Sequence, residues 1–72
     1  MTFRTLAKNI TIQGPVRISI WDDESEIYVQ ELPDSDGLFR EDLKHLFKYP
    51  VKYMFVGGDG VLHIELIFKE GK

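Results

Sequence analysis

Histidine, serine and clustered carboxylates are the side chains here that could do chemistry. His45 and His63 are the only histidines. A catalytic histidine needs an acid to orient it and a nucleophile or substrate within hydrogen-bond reach. Glu65 follows His63 by two in an alternating run, which places both on one strand face. Ser19 sits in a second alternating run and points the same way if both runs share a sheet. The pattern therefore admits a Ser19–His63–Glu65 set. No strained nucleophile turn or oxyanion hole accompanies it, so no catalytic residue is assigned and the chain is read as a non-enzyme. His45 follows Glu41 by four, a spacing that an ordinary helix contact explains.

The carboxylates are next. Asp22, Asp23, Glu24 and Glu26 form the densest charge cluster, with the chemistry for a hard cation such as calcium or for a basic partner. The same residues favour turns, and a solvated hairpin turn accounts for them. Asp34-Ser35-Asp36-Gly37 is similar to the middle of a calcium loop. That loop needs an acid two residues earlier and a bidentate acid near its end. Leu32 and Leu43 stand there, so no metal and no cofactor are assigned. Gly57, Gly58 and Gly60 are not a phosphate loop, since no Lys-Ser/Thr follows them.

Composition excludes more than it proposes. There is no cysteine, hence no disulfide and no thiolate metal site, which fits a cytoplasmic protein. No apolar run approaches the roughly 20 residues of a membrane span, and Met1–Thr5 lacks the apolar core of a signal peptide. Nine basic against twelve acidic residues leave a net charge of −3. That balance disfavours a dominant phosphate-backbone contact.

These residues are positioned by a small soluble α+β fold, residues 1–72 forming one domain. Phe3, Leu6, Ala7 and Ile10 mark a helix face with Thr2 as N-cap, favouring a short helix over 2–9. Ile10-Thr11-Ile12 alternates like a strand instead. Gly14-Pro15 breaks the chain. Residues 16–21 and 27–32 form a hairpin. Pairing Trp21 with Glu26 sets Ile20 against Ile27 and Ile18 against Val29, all four pointing inward. Residues 38–48 read as a helix with Phe39, Leu43, Leu46 and Phe47 as its apolar stripe. Tyr49-Pro50 ends it. Residues 51–56 and 61–67 form a second hairpin around Asp59. Setting Val56 against Val61 pairs Phe55 with Leu62, Tyr53 with Ile64, Lys52 with Glu65 and Met54 with His63. That register keeps each face chemically uniform. The tail Glu70-Gly71-Lys72 is expected to fray. The sum is a four-stranded antiparallel sheet from two hairpins, with the second helix on one face. Ile18, Ile20, Val29, Phe39, Leu43, Leu46, Phe47, Phe55, Leu62 and Ile64 are the expected core.

In those registers Trp21, Tyr28, Met54 and His63 fall on the face away from the core, beside Arg17 and Lys52. Trp, Tyr, Met and Arg are enriched where proteins meet, and exposed aromatics with cations also stack bases. The bland alternative is that Phe3 and Leu6 cover this face within the monomer. The favoured reading is a protein-interaction module that binds a partner protein or a second copy through Arg17, Trp21, Tyr28, Met54 and His63. Single-stranded nucleic-acid binding on the same face is the alternative, disfavoured by its few cations.

The Met1-Thr2-Phe3 start, the run Val16-Arg17-Ile18-Ser19-Ile20-Trp21-Asp22-Asp23, and the ending Val51-Lys52-Tyr53 … Gly60-Val61-Leu62-His63-Ile64-Glu65 resemble a class of short uncharacterised proteins. These are encoded by Gram-positive gut bacteria and their mobile elements. In that class the first helix usually runs into an acidic turn, which Asn9–Gln13 replaces here. The resemblance implies an intracellular setting and a phage or mobile-element origin. It implies no function.

Overall fold

The computed structural model describes residues 1–68, so the expectation for the tail at 70–72 lies outside them. The elements are α1 (Phe3–Asn9), β1 (Gln13–Asp22), β2 (Ser25–Asp36), a 3₁₀ helix (Glu41–Leu46), β3 (Val51–Val56) and β4 (Leu62–Ile67). The fold is α+β with one four-stranded sheet, ordered β2-β1-β4-β3. The sheet is mixed rather than antiparallel throughout. β1 and β4 lie side by side in parallel, and the two hairpins supply the antiparallel pairs. The order follows from the path after β2. The chain leaves one edge, crosses a face and re-enters at the opposite edge as β3. β4 then folds back beside β1.

α1 forms as its periodicity predicts. The Thr2 hydroxyl accepts from the Thr5 N–H, and Phe3, Leu6 and Ala7 are buried. The crossing segment departs from expectation. Leu38 plugs the core, Arg40 remains extended, and only Glu41–Leu46 coils, as a 3₁₀ helix. An α-helix would place Phe39 with Leu43. Burial instead steps by three, with Leu43 and Leu46 buried and Tyr49 half-buried, the period at which 3₁₀ side chains line up. Phe39, expected in the core, is 51% exposed and stacks on Phe47.

Both hairpins also shift register. In the first, Trp21 faces Glu26 as expected, but an irregularity follows and Ile20 faces Tyr28 while Ile18 faces Gln30. The extra residue is Ile27, and a bulge turns everything beyond it to the other face. Tyr28 therefore joins the covered side, and Val29, expected inside, becomes exposed. In the second hairpin the loop has three residues, 58–60. The Gly57 N–H donates to the Val61 carbonyl, and Gly60 takes φ +79°, as the third residue of such a loop does. Val56 then faces Leu62, Phe55 faces His63, Met54 faces Ile64 and Tyr53 faces Glu65. The expected Phe55–Leu62 and Lys52–Glu65 pairs do not form.

One face of the sheet carries the core. Val16, Ile18 and Ile20 of β1 lie level with Leu62, Ile64 and Leu66 of β4. Phe3, Leu6, Leu38, Leu43 and Leu46 pack onto the same cluster. α1 is tied to the crossing segment by bonds from the Phe3 N–H to the Tyr49 carbonyl and from Arg4 to Phe47. Both helices thus sit on one side, and no described helix covers the other.

Two measurements follow. Leu43→Ala should cost about 2–5 kcal/mol in chemical denaturation, whereas Phe39→Ala should cost about 1 kcal/mol, the scale of one aromatic pair. Gly60→Val should cost at least about 1–2 kcal/mol because of its left-handed φ. Gly58→Val, with open space around it, should change stability by less than about 0.5 kcal/mol.

Candidate protein-interaction face

Directly opposed residues share a sheet face, so the registers lay out the uncovered side in three rows. Glu31, Arg17, His63 and Phe55 form the first, and Val29, Ser19, Glu65 and Tyr53 the second. Glu26, Trp21 and Ile67 form the third. Of the residues expected here, Arg17, Trp21 and His63 are present. Tyr28 and Met54 are not. The Tyr28 hydroxyl bonds Gln30 and the His45 ring on the covered side, and Met54 faces the core residue Ile64. Tyr53 and Phe55, 56% and 46% exposed, occupy the outer strand instead. The sequence offered one signal for this exchange. Glycine at the third loop position marks a three-residue hairpin loop, and that loop length alone fixes which residues of β3 face outward.

The centre of the face is braced internally. Ser19 is 3% exposed, and the Trp21 indole N–H donates to its hydroxyl at 3.0 Å. Arg17 lies between two acids of β2, 3.3 Å from Glu26 and 3.6 Å from Glu31. Its charge is therefore matched within the chain. His63 stacks flat on Phe55, with ring centres 4.8 Å apart. Its Nε2 lies 3.7 Å from the Asp59 carboxylate. The sequence-suggested set is not brought together: Ser19 is engaged with Trp21, while His63 turns to Asp59 and Phe55. Lys52 lies over the Tyr53 ring at 5.3 Å.

Asp59 anchors the turn that sets this arrangement. Its carboxylate accepts from the Val61 N–H at 3.0 Å. That bond above all, with help from His63, holds the carboxyl below the usual aspartate value of 3.8. Among the described residues no three acids or histidines are grouped to hold a metal ion. The acidic turn is as expected a tight hairpin connection, with Asp23 at φ 62°, a value aspartate tolerates. On the helical side, Arg4, Phe39, Arg40, Glu41, Lys44 and Phe47 line a shallow groove of about 260 Å³. Its Arg40 is engaged by Asp42 through two bonds.

Compared with family models, curated proteins and solved structures, the chain matches none. No helix in residues 1–68 is long and apolar enough to cross a membrane.

The depressed Asp59 carboxyl predicts a pH response. A folded-state pKa below the unfolded value gives stabilisation that is present above the unfolded value and lost as pH falls through the folded one. The Val61 amide should therefore shift and lose exchange protection as pH drops below 3.8. Asp59→Ala should abolish that titration at Val61. An amide shift that persists in the variant would assign the effect to another group.

Proposed function

We propose that this chain is a small protein-interaction module that works through the uncovered sheet face, with self-association as its mode. One observation carries the reading: Tyr53 and Phe55 stand largely exposed on a face that neither α1 nor the crossing segment touches. Aromatics lose little conformational freedom for the area they bury, and they dominate the energetics of protein contacts. The surrounding Arg17, Glu65 and Trp21 give the mixed polar and apolar character of non-obligate interfaces.

Bases could also stack on Tyr53 and Phe55. Phosphate binding needs several unmatched cations beside them; Lys52 lies over Tyr53, but Arg17 is already matched by Glu26 and Glu31. The net charge of −3 opposes it further. A cytoplasmic setting and a phage or mobile-element origin belong to the same proposal, supported by the absence of cysteine and by the sequence resemblance.

Trp21 is the only tryptophan and lies on this face, so its emission reports occupancy. Quencher access to Trp21 should fall as protein concentration rises from the low micromolar to the millimolar range. Tyr53→Ser should weaken that dependence. Access that never varies with concentration would overturn association face to face. Salt-sensitive quenching by single-stranded oligonucleotides would favour the nucleic-acid reading instead.

A further inference from the structure

The two outer strands of the sheet are built differently. β2 is long, but its edge carries Glu26, Glu31, Pro33, Asp34 and Asp36. Charges and proline are what keep an edge from pairing with another chain. β3 has no such guard beyond Lys52. Its last four residues, Tyr53-Met54-Phe55-Val56, are all exposed, although they point alternately to both faces. Covering them needs something that reaches both faces at once, which a strand added at the edge does.

Among the described residues no strand lies on the outer side of β3. The Gly57 N–H turns inward to the Val61 carbonyl at 3.0 Å. Antiparallel ladders alternate, so Phe55 and Tyr53 also turn their peptide groups toward β4. Met54 and Val56 then turn theirs outward. At the start of β3 the edge is already closed, because the Val51 N–H donates to the Met1 carbonyl and Thr2 bridges Pro50. The open stretch is therefore short and defined.

We infer that β3 pairs antiparallel with β3 of a second copy, the two-fold axis passing between the two Phe55 residues, to make one continuous eight-stranded sheet. This rests on the self-association reading above and places its contact at the edge strand that carries Tyr53 and Phe55, where Trp21, two strands away, stays open to quenchers. A two-fold contact is self-complementary and closes at two copies, and the guarded β2 edge prevents further growth. The register follows from the free groups. With Phe55 opposite Phe55, Met54 faces Val56 of the second copy and the reverse, so all four outward peptide groups on each strand are paired. The two Phe55 residues occupy a non-hydrogen-bonded position, where side chains approach most closely. Tyr53 then lies opposite Gly57 of the second copy, an aromatic over a glycine, a pairing used to strengthen glycine in strands. Lys52 comes beside the turn that carries Asp59, its opposite in charge. The alternative register centred on Met54 sets Lys52 against Val56 and pairs fewer of the outward groups.

The absence of native cysteine makes the test direct. Phe55→Cys should form a disulfide-linked dimer on mild oxidation, while Tyr53→Cys, facing glycine, should not. In sedimentation, Phe55→Lys should weaken dimerisation on the order of tenfold or more, since it sets like charges against each other. Circular dichroism checks that it remains folded. Efficient cross-linking by both cysteine variants, or by neither, would overturn the β3 pairing. A dimer that shields Trp21 yet is unaffected by Phe55→Lys would overturn the edge geometry and leave the face reading standing. A monomer at every concentration would remove both.

Discussion

The parallel contact between β1 and β4 is the constraint on which the rest of the structure depends. It sets Val16, Ile18 and Ile20 level with Leu62, Ile64 and Leu66 and so builds the floor of the core. Parallel neighbours cannot be joined by a tight turn. The chain must leave the β2 edge, cross the sheet and enter again at β3. Four strands side by side span roughly 15 Å at the usual strand spacing, and 3₁₀ geometry covers more distance per residue than an α-helix. The irregular Leu38–Arg40 stretch followed by a short 3₁₀ helix makes that crossing. Since α1 takes the same side, both covering segments among the described residues lie on one face. The other is left to the side chains of the sheet itself.

Those side chains show how a sheet face stays ordered without a lid. Ser19 is buried and bonded to Trp21, and Arg17 is held between two acids. Ser19, Trp21 and Arg17 are thereby matched locally. The unmatched part is the apolar margin at β3. That contrast, a settled centre and an unsettled rim, is why the interaction reading falls on Tyr53 and Phe55 rather than on Trp21.

Much of the fold was legible in the sequence, and the errors have physical causes. Strand positions came from alternation, α1 from its apolar spacing and the Thr2 cap, and the second hairpin from its glycines. Leu43, Leu46, Ile18, Ile20 and Ile64 were read correctly as core. Register was not, because alternation fixes which residues share a face but not which face is inward. One extra residue at Ile27, or one residue fewer in the loop at 58–60, exchanges the two sides. Tyr28 and Met54 were lost from the candidate face in this way, and Val29, Tyr53 and Phe55 gained. The β1–β4 pairing left no local trace at all, since parallel partners far apart in sequence share no turn. The opposing registers of the two hairpins each looked favourable by chemical uniformity. The second hairpin instead follows its turn geometry, and the first departs from expectation at the bulge.

The same central pairing has a consequence for how the chain acquires its shape. β1 is made before β4, so the inner edge of β1 has no neighbour until β2, the crossing segment and β3 have been made. Contacts between distant parts of a sequence form slowly because chain entropy must be lost before they contribute. During synthesis the first hairpin therefore waits with Val16, Ile18 and Ile20 uncovered, the kind of exposed edge through which nascent chains misassemble. Its acidic turn and the guarded outer strand β2 leave only one side of that waiting hairpin open to error. β4 closes it.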